Sequence, residues 1–497
     1  MDKLASVNQP PGTRALPMKS CLASVLLWVL WGCAAAAPAP ARAVAAEAWQ
    51  AGLERAAAAQ GLRGASLSAL VVDRASGAVL WAREADALLV PASTQKLLTA
   101  VAALDAFGPA HRFVTELRAS RPLGVDGAIG DLFIRGGDPA LTSEQWWRLA
   151  ADLRALGLRE VRGDLVLDDS LFDAIRWHPS WGPITARAYH APVGALSANF
   201  GAFRVRVGPG AAPGAPLEAR LDPPVSFLRL VNESRTGKPG TRSTLAVERR
   251  SGPGEERIRV QGSVPLGAEA DEVWRSTADP LAYAGAVLRM QLEANGIRVA
   301  GAVRRGAAAP EAKLLLGFEG LPLEQVASLF LKYSNNFIAE ALVKWLALGP
   351  EPAPEAPPAS WAAGTRALTA RLAGLGVPLG AARIVDGSGL SRANRISARI
   401  LVETLRRGER LFAGGPELLA ALPLAAQDGT LERRAGAARG RVRAKTGSLD
   451  GVSSLAGFAR TESGRDLVFA VLANGYANGD GAAVDAMDAW AGALVRD

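Results

Sequence analysis

The spacing of apolar residues near the start of the chain predicts a helix, a β-hairpin and a second, longer helix. Residues 51–60 carry apolar positions at helical spacing, and the apolar runs 66–73 and 78–83 are separated by a short turn that contains glycine. Ser93 then opens a helix that we expect over 94–107, where leucine and valine recur every three or four residues. Ser93 is therefore predicted to lie at a helix N-terminus.

The pattern changes in the middle of the chain and changes back before its end. Residues 111–306 form short β-like runs interrupted by many glycines and prolines, which predicts a β-rich domain with a smaller subdomain nested in it. Helical spacing returns over 323–348 and 360–375. Three strand-length runs and a helix close the pattern: 441–446, 454–460, 467–474 and 482–495.

These elements predict an α/β (α+β) fold in which helices flank an antiparallel sheet, with the N-terminal hairpin supplying the first strands of that sheet. A length of 497 residues exceeds what one hydrophobic core usually holds, so more than one domain is expected. We therefore predict a discontinuous domain formed by 47–110 and 307–497, with 111–306 as an inserted β-rich domain.

Residues 1–46 are predicted to be a signal peptide region. The apolar segment 22–31 follows Met18 and Lys19 and precedes a stretch of small residues. The residues before Met18 are polar and contain proline, which leads to the hypothesis that translation begins at Met18. Export to the periplasm follows from this prediction. No later stretch offers about 18 consecutive apolar residues, so no transmembrane span is expected in the mature protein.

Both cysteines of the chain, Cys21 and Cys33, lie within this region. The exported protein would therefore have neither a disulfide nor a cysteine catalyst. Cys33 ends a short sequence that loosely resembles a bacterial lipoprotein cleavage box, although the tryptophan before Gly32 is atypical. Lipid anchoring through Cys33 is thus an alternative to release of the exported protein.

The charge of the chain argues against a nucleic-acid partner. The net charge of +8 comes mainly from arginine, since there are only eight lysines, and no basic run resembles a nucleic-acid-binding arm. His111, His178 and His190 lack the spacing of metal ligands, so no metal site is predicted.

Three short motifs occur in order along the chain: Ser93-Thr94-Gln95-Lys96, Ser334-Asn335-Asn336 and Lys445-Thr446-Gly447. A Ser-x-x-Lys sequence alone arises easily by chance, whereas Lys-Thr-Gly is rare in a chain with so few lysines. The ordered set, with two motifs at predicted helix starts and one on a predicted strand, is rarer still. Such a trio, with aspartate in the middle motif where this chain has Asn335, is typical of β-lactamases and penicillin-binding proteins.

The spacing of the first motif suits a serine nucleophile with an adjacent base. Residues three apart lie on one face of a helix, so Lys96 can reach the Ser93 hydroxyl, and the helix N-terminus places positive partial charge near a developing oxyanion. A lysine acts as a base only when it is neutral, and burial beside a second cation such as Lys445 would lower its pKa. Plain structural explanations remain for the other motifs, because Ser334 and Asn336 could cap a helix and the third motif could be an exposed edge strand.

The sequence resembles the penicillin-recognising serine hydrolases, and specifically the D-alanyl-D-alanine carboxypeptidase/endopeptidase family of class C low-molecular-mass penicillin-binding proteins. The resemblance rests on the three motifs, on the long insert between the first two, and on the segments 136–141, 163–168 and 386–391. It covers essentially the whole exported chain. It implies a β-lactamase/transpeptidase-like domain that carries the large insert.

The resemblance implies how the reacting groups are used. Ser93 would attack the D-alanyl-D-alanine carbonyl with Lys96 as its base, and Ser334 would relay a proton to the leaving D-alanine. Asn336 would orient the substrate peptide. In some members an aspartate of the insert contacts the amino group of the diaminopimelyl side chain, and Asp168 is the candidate for that contact. No cofactor is implied.

The resemblance also implies how the substrate is held. Lys445 and Thr446 would bind its terminal carboxylate, while the backbone N–H groups of Ser93 and Ser448 would form the oxyanion hole. Gly447 lies on the same predicted strand, where a glycine allows a ligand to approach the backbone closely.

The leading hypothesis is therefore hydrolysis of D-alanyl bonds, as a carboxypeptidase on peptidoglycan stem peptides and as an endopeptidase on cross-links. β-Lactam antibiotics would be covalent inhibitors. A β-lactamase, or a catalytically silent cell-wall-binding protein of the same fold, are the alternatives. Asp138 and Asp386 lie in glycine-rich turns, where we expect them to cap the local backbone. The sequence does not predict the oligomeric state.

Overall fold

Two five-stranded β-sheets, with helices packed against them, organise the chain. The computed structural model describes residues 39–353 and 355–497. Its α-helices are α1 (Ala39–Ala57), α2 (Lys96–Phe107), α3 (Ser143–Ala155), α4 (Pro280–Ala294), α5 (Leu323–Lys332), α6 (Asn336–Leu348), α7 (Trp361–Gly374), α8 (Ala398–Gly408), α9 (Gly415–Ala421) and α10 (Gly479–Val495).

The strands are β1 (Ser66–Asp73), β2 (Val79–Arg83), β3 (Arg112–Ala119), β4 (Ala128–Ile129), β5 (Leu132–Arg135), β6 (Glu160–Val161), β7 (Leu165–Asp168), β8 (Ala202–Gly208), β9 (Glu218–Asp222), β10 (Leu228–Asn232), β11 (Arg235–Gly237), β12 (Ala246–Gly252), β13 (Glu255–Gln261), β14 (Ser263–Pro265), β15 (Asp271–Ser276), β16 (Arg298–Val299), β17 (Val303–Arg305), β18 (Lys313–Pro322), β19 (Val442–Leu449), β20 (Val452–Arg460) and β21 (Asp466–Asn474).

The first sheet is antiparallel throughout and has the strand order β19-β20-β21-β1-β2. β1 pairs with β21 along its whole length, from Ser66 opposite Asn474 to Asp73 opposite Leu467. The prediction that the N-terminal hairpin joins the C-terminal strands is thus confirmed. Both central strands are buried at nearly every position because helices cover both faces of the sheet.

Helix α2 is the central helix on one face of this sheet. A short 3-10 turn, Ala92–Gln95, leads into it, so the prediction that Ser93 lies at a helix start is confirmed. Every side chain from Lys96 to Leu104 is buried. The helix packs among α5, α6, α7 and α8 in one hydrophobic cluster that also includes the inner face of the sheet.

The helical pattern predicted over 323–348 is divided into two helices, α5 and α6, which are separated at Ser334, whose backbone adopts a left-handed φ of 58°. A non-glycine residue in that region interrupts a right-handed helix, and Asn335 then caps α6 by accepting a hydrogen bond from the backbone N–H three residues on. The second motif therefore lies at a helix start, as predicted. The apolar spacing runs through both helices, so the motif and not the spacing indicated the break.

The second sheet has the order β17-β7-β5-β3-β18 and mixes parallel and antiparallel pairs. The β-rich texture predicted for 111–306 is present, but that prediction missed α3 and α4. Asp279 caps α4 by accepting hydrogen bonds from two backbone N–H groups, and Pro280 occupies the first helical position. An Asp-Pro pair before an apolar run was therefore the available signal.

The domain boundaries stay a prediction, because residues 49–497 form one compact unit. Strand β18 follows the predicted boundary at 306 and pairs with β3, which lies just after the boundary at 111. A large hydrophobic cluster packs this region, with Trp146, Phe203 and Tyr283 among its largest side chains.

The predicted signal segment, with Cys21 and Cys33, lies in residues 1–46, of which 1–38 are outside the described residues. Within 39–353 and 355–497, no helix is both long and apolar enough to cross a membrane.

Replacing a core phenylalanine in the central strand tests this packing. Phe469 is fully buried on β21, with its ring centroid 5.6 Å from that of Trp490. We expect Phe469→Ala to cost about 3–5 kcal/mol, measured as a lower midpoint in denaturant, because it removes apolar burial and leaves a cavity. Phe412→Ala is the matched control, since Phe412 is fully exposed, and should leave the midpoint unchanged. Equal effects of the two changes would contradict the packing described here.

Candidate active site

The turn that carries Ser93 is held in an unusual backbone conformation. Ala92, directly before Ser93, has a left-handed φ of 49°. The Pro91 carbonyl accepts hydrogen bonds from the Thr94 hydroxyl and from the Ser454 hydroxyl of β20, both at 2.7 Å. A strained residue persists only where its surroundings fix it, so the sheet and the helix together set the position of Ser93.

Lys96 is fully buried, and its amino group faces three oxygen atoms. Nζ lies 3.0 Å from Ser93 Oγ, 2.7 Å from Asn336 Oδ1 and 2.9 Å from the Ser388 carbonyl oxygen. The first two motifs therefore meet at this amine. The third contact comes from the segment 386–391 and was not anticipated from the sequence.

Burial governs the charge of this amine. Loss of hydration lowers the pKa of Lys96 to about 7, against the opposing influence of the negative charges of Glu340 and Asp386. The pKa of Lys445 is lowered as well, by its own burial, by the charge of Lys96 and by that of Arg434. Near pH 7 a substantial fraction of Lys96 is thus neutral and carries a lone pair beside the Ser93 hydroxyl.

The three residues of the second motif make different contacts. Asn335 makes the helix cap, which leaves the Asn336 side chain free to accept from Lys96 and to donate through Nδ2 to the Tyr189 carbonyl at 3.0 Å. Ser334 lies half-buried in the loop before α6. The structural alternative for this motif thus holds for Asn335, whereas Ser334 and Asn336 do not cap the helix.

The third motif lies on β19, the edge strand of the first sheet. The Ala444 N–H points away from β20, since it donates to the Pro423 carbonyl at 2.9 Å. Backbone groups alternate in direction along a strand, so the N–H groups of Thr446 and Ser448 also face this outer edge. The Lys445 amine bonds the Thr446 carbonyl on the same edge, at 2.8 Å. The edge strand thus presents backbone donors beside the turn Ala92–Gln95, which carries Ser93 and is called the Ser93 turn below.

Gly447 allows the edge strand and the Ser93 turn to touch. A Cβ atom at this position would lie only 2.9 Å from both the Ser93 nitrogen and the Pro91 carbonyl oxygen. The close approach that the sequence suggested for a ligand is therefore made by the protein's own backbone. It brings the backbone of Ser93 alongside β19.

Two side chains of the third motif are buried. The alternative that this motif forms an exposed edge strand is therefore right that β19 is an edge strand and wrong that it is exposed. Lys445 is fully buried, and Thr446 is 7% exposed. The Thr446 hydroxyl donates to Thr430 Oγ1 at 2.8 Å. Thr430 carried no motif that sequence reasoning could have found.

The predicted turn caps are confirmed. Asp138 Oδ1 accepts from the Ala140 N–H at 2.8 Å, and Asp386 accepts from the N–H groups of Gly389 and Ser391 at 2.9 and 2.7 Å. Asp386 also accepts from the Trp181 indole at 3.0 Å. A residue of the segment 111–306 thereby contacts the loop behind Lys96.

Asp168 lies at the end of β7, where its carboxylate accepts from the Ser170 N–H at 2.9 Å. It lines a cavity of about 310 Å³ together with Glu116, Arg118 and Arg135. The residues of the three motifs do not line this cavity. Contact between Asp168 and a substrate side chain stays a prediction.

Comparison with known proteins gives a consistent result. A model of the D-Ala-D-Ala carboxypeptidase 3 (S13) family matches residues 49–495. The chain is 37% identical over 434 residues to the D-alanyl-D-alanine carboxypeptidase of Actinomadura sp. (strain R39), covering 84% of this chain and 79% of that protein.

Solved structures agree. Penicillin binding protein 4 (dacB) from Haemophilus influenzae is 25% identical, with a TM-score of 0.73 over 89% of this chain and 98% of that one. The same protein complexed with a novel β-lactam gives 26% identity and a TM-score of 0.70 over the same shares. The predicted fold class, a mixed α/β (α+β) penicillin-recognising serine hydrolase fold, is confirmed.

A glycine that lies against the Ser93 turn tests this packing. Gly389 has a φ of 81°, and a Cβ atom there would overlap the Ala92 carbonyl oxygen. We expect Gly389→Ala to lower the melting temperature by on the order of 5 °C, because either the turn or the loop must move.

Gly464→Ala is the control for backbone strain alone, since Gly464 has a φ of 93° and no atom near its missing Cβ. A melting temperature no lower for Gly389→Ala than for Gly464→Ala would show that the two segments do not touch.

Proposed function

The chain belongs to the D-Ala-D-Ala carboxypeptidase 3 (S13) family, whose members are penicillin-binding hydrolases of peptidoglycan, and we propose that it cleaves D-alanyl bonds through an acyl-enzyme on Ser93. One observation carries this proposal: the buried Lys96 amine, with its pKa lowered to about 7, lies 3.0 Å from Ser93 Oγ. That distance allows direct proton transfer from the hydroxyl to a neutral amine.

In the acylation step, Lys96 takes the Ser93 proton as Oγ attacks the carbonyl carbon of the penultimate D-alanine. The tetrahedral intermediate then collapses, and the bond to the terminal D-alanine nitrogen breaks. That nitrogen receives a proton, for which we assign Ser334 as the relay from Lys96. Water subsequently attacks the ester, and the proton it loses returns to the Ser93 oxygen.

The negative charge of the intermediate would be held by two backbone N–H groups. Ser93 supplies one at the start of α2, and Ser448 supplies the other from the outer edge of β19. The direction of the Ala444 N–H and the approach of Gly447 to Ser93 support this assignment. Donors fixed by a helix start and a sheet edge need no rearrangement as charge develops.

We assign recognition of the terminal carboxylate to Lys445 and Thr446, with Thr430 orienting the threonine hydroxyl. A carboxylate arriving beside Lys445 would favour the protonated form of its amine, which burial alone disfavours. We assign orientation of the substrate peptide to Asn336. Its Oδ1 accepts from Lys96, which holds its side chain beside the reacting groups. Asp168 is retained as a candidate contact for the diaminopimelyl amino group.

Endopeptidase activity belongs to the same proposal. A peptidoglycan cross-link presents a D-alanyl carbonyl to the same nucleophile, and only the leaving amine differs. Export by the predicted signal peptide would bring the enzyme to these substrates in the periplasm, and β-lactams would acylate Ser93 in their place.

Fluorescent penicillin tests the proposed nucleophile. We expect stable covalent labelling of the wild type, release of D-alanine from D-Ala-D-Ala peptides, and cleavage of a cross-linked muropeptide dimer. Ser93→Ala should lose all three, because it removes the attacking oxygen, with activity falling at least about 10³-fold. Ser243→Ala, at an exposed serine, is the control. Labelling of Ser93→Ala at the wild-type level would contradict the mechanism.

The pH dependence of acylation tests the base. Because the neutral form of Lys96 is required and its pKa is about 7, the second-order rate of penicillin acylation should rise with pH and reach half its plateau near pH 7. Lys96→Arg should remain protonated and lose acylation at every pH. A wild-type rate that stays flat from pH 5 to 9 would exclude Lys96 as the titrating base.

A further inference from the structure

A carboxylate of α6 that the mechanism above does not use lies behind the catalytic lysine. Glu340 is fully buried, one turn after Asn336 in a helix whose neighbouring positions are apolar. Three N–H groups donate to it: Ser388 N to Oε1 at 2.8 Å, and Gly387 N and Trp361 Nε1 to Oε2 at 3.0 and 2.7 Å. Every partner is a donor, so this site is built for an ionised carboxylate.

The two peptide groups that Glu340 binds are the ones that reach α2. The Ser388 carbonyl accepts from Lys96 Nζ at 2.9 Å, and the Gly387 carbonyl accepts from Thr99 Oγ1 at 2.8 Å. The Gly387–Ser388 turn thus donates its N–H groups to α6 and offers its carbonyls to α2. A movement of Glu340 would be transmitted directly to the oxygen that Lys96 faces.

Packing leaves this turn little freedom. A Cβ atom at Gly387 would overlap the Val343 side chain and lie 2.7 Å from the Ala339 carbonyl oxygen. The turn therefore lies directly against α6. Its position along that helix is set by the hydrogen bonds to Glu340.

We propose that Glu340 is a positioning residue for the reaction, which holds the Gly387–Ser388 turn so that the Ser388 carbonyl keeps the Lys96 amine against Ser93. This inference rests on the proposed function, since it assigns Glu340 a role through the proposed base. It concerns a residue outside the three motifs, and one that touches neither the substrate nor the reacting atoms.

Several charged groups near Lys96 influence its pKa. Glu340 from α6 and Asp386 from the adjacent loop favour the protonated amine. The charge of Lys96 in turn lowers the pKa of Lys445 on β19. Lys344, one turn further along α6, is paired with Asp173 at 2.7 Å. Burial and the charge of Asp386 raise the pKa of Glu340, whereas its three hydrogen bonds act in the opposite direction and favour the ionised form.

Substitution of the carboxylate by an amide separates positioning from simple packing. Glu340→Gln keeps the volume but removes the negative charge, and it replaces one of the two acceptor oxygens by an NH2 group that faces N–H donors. Both the loss of charge and the displacement of the Ser388 carbonyl lower the pKa of Lys96. The acid limb of the profile, which is the pH range in which the acylation rate rises towards its plateau, should therefore move to lower pH by about half a unit or more. The plateau rate should fall about 10-fold to 100-fold.

A purely structural role predicts a different result, namely a lower melting temperature and less active enzyme with an unchanged acid limb. The experiment is therefore the second-order rate of fluorescent-penicillin acylation from pH 5 to 9, together with the melting temperature, for wild type, Glu340→Gln and Glu340→Asp. Glu340→Asp keeps the charge, so we expect its acid limb to stay near that of the wild type while the plateau falls.

Glu403→Gln on α8 is the matched control. Glu403 is a partly buried acid, it is paired with Arg406 of the same helix, and α8 belongs to the same hydrophobic cluster as α6. It should leave the profile unchanged. The proposal would be overturned if the acylation rate of Glu340→Gln rose with pH at the same position as that of the wild type. If Glu340→Gln does not fold, a Glu340→Asp variant that is acylated as fast as the wild type would overturn it. Absence of acylation in the wild type would instead contradict the proposed function, and this inference with it.

Discussion

The burial of one ammonium group, that of Lys96, is the constraint on which the candidate site depends. A shift of its pKa from the usual 10.5 to about 7 corresponds to roughly 5 kcal/mol of preference for the neutral amine. Such an environment is costly to build around a group that could be charged, and it exists here because α2 is covered on all sides by α5, α6, α7, α8 and the sheet. The amine contacts three oxygen atoms, each of them supplied by a different segment of the chain.

The fold supplies these oxygens from distant parts of the sequence. Asn336 comes from the start of α6, and Ser388 comes from a turn that Asp386 and Glu340 hold. The first sheet contributes β19, which passes the Ser93 turn at Gly447. The segment 111–306 also takes part, because the Tyr189 carbonyl and the Trp181 indole bond Asn336 and Asp386. A change in that segment would therefore affect the surroundings of Lys96, even though the segment lies outside the three motifs.

The start of α2 and the β1–β2 hairpin were predictable, because helical spacing and short apolar runs are local signals in the sequence. The pairing of the hairpin with β21 was predictable from the set of elements, since strands at both ends of the chain suited one antiparallel sheet. The apolar spacing alone did not show the break at Ser334, since it continues from α5 into α6 and the left-handed backbone ends the first helix; the second motif marked the start of α6. The role of Glu340 was out of reach for another reason: its three partners lie 21 to 48 residues further along the chain. A lone acid among buried apolar positions was the available hint.

A substantial fraction of Lys96 should be neutral near pH 7, and the ionisation of this amine can be measured directly. With lysine labelled with ¹³C at the ε carbon, the chain should give a sparse NMR spectrum, since it has only eight lysines, and Lys96→Arg identifies the signal of interest. The account predicts that this signal titrates with a midpoint near pH 7. A signal that titrates near pH 10.5, like that of an exposed lysine, would contradict it.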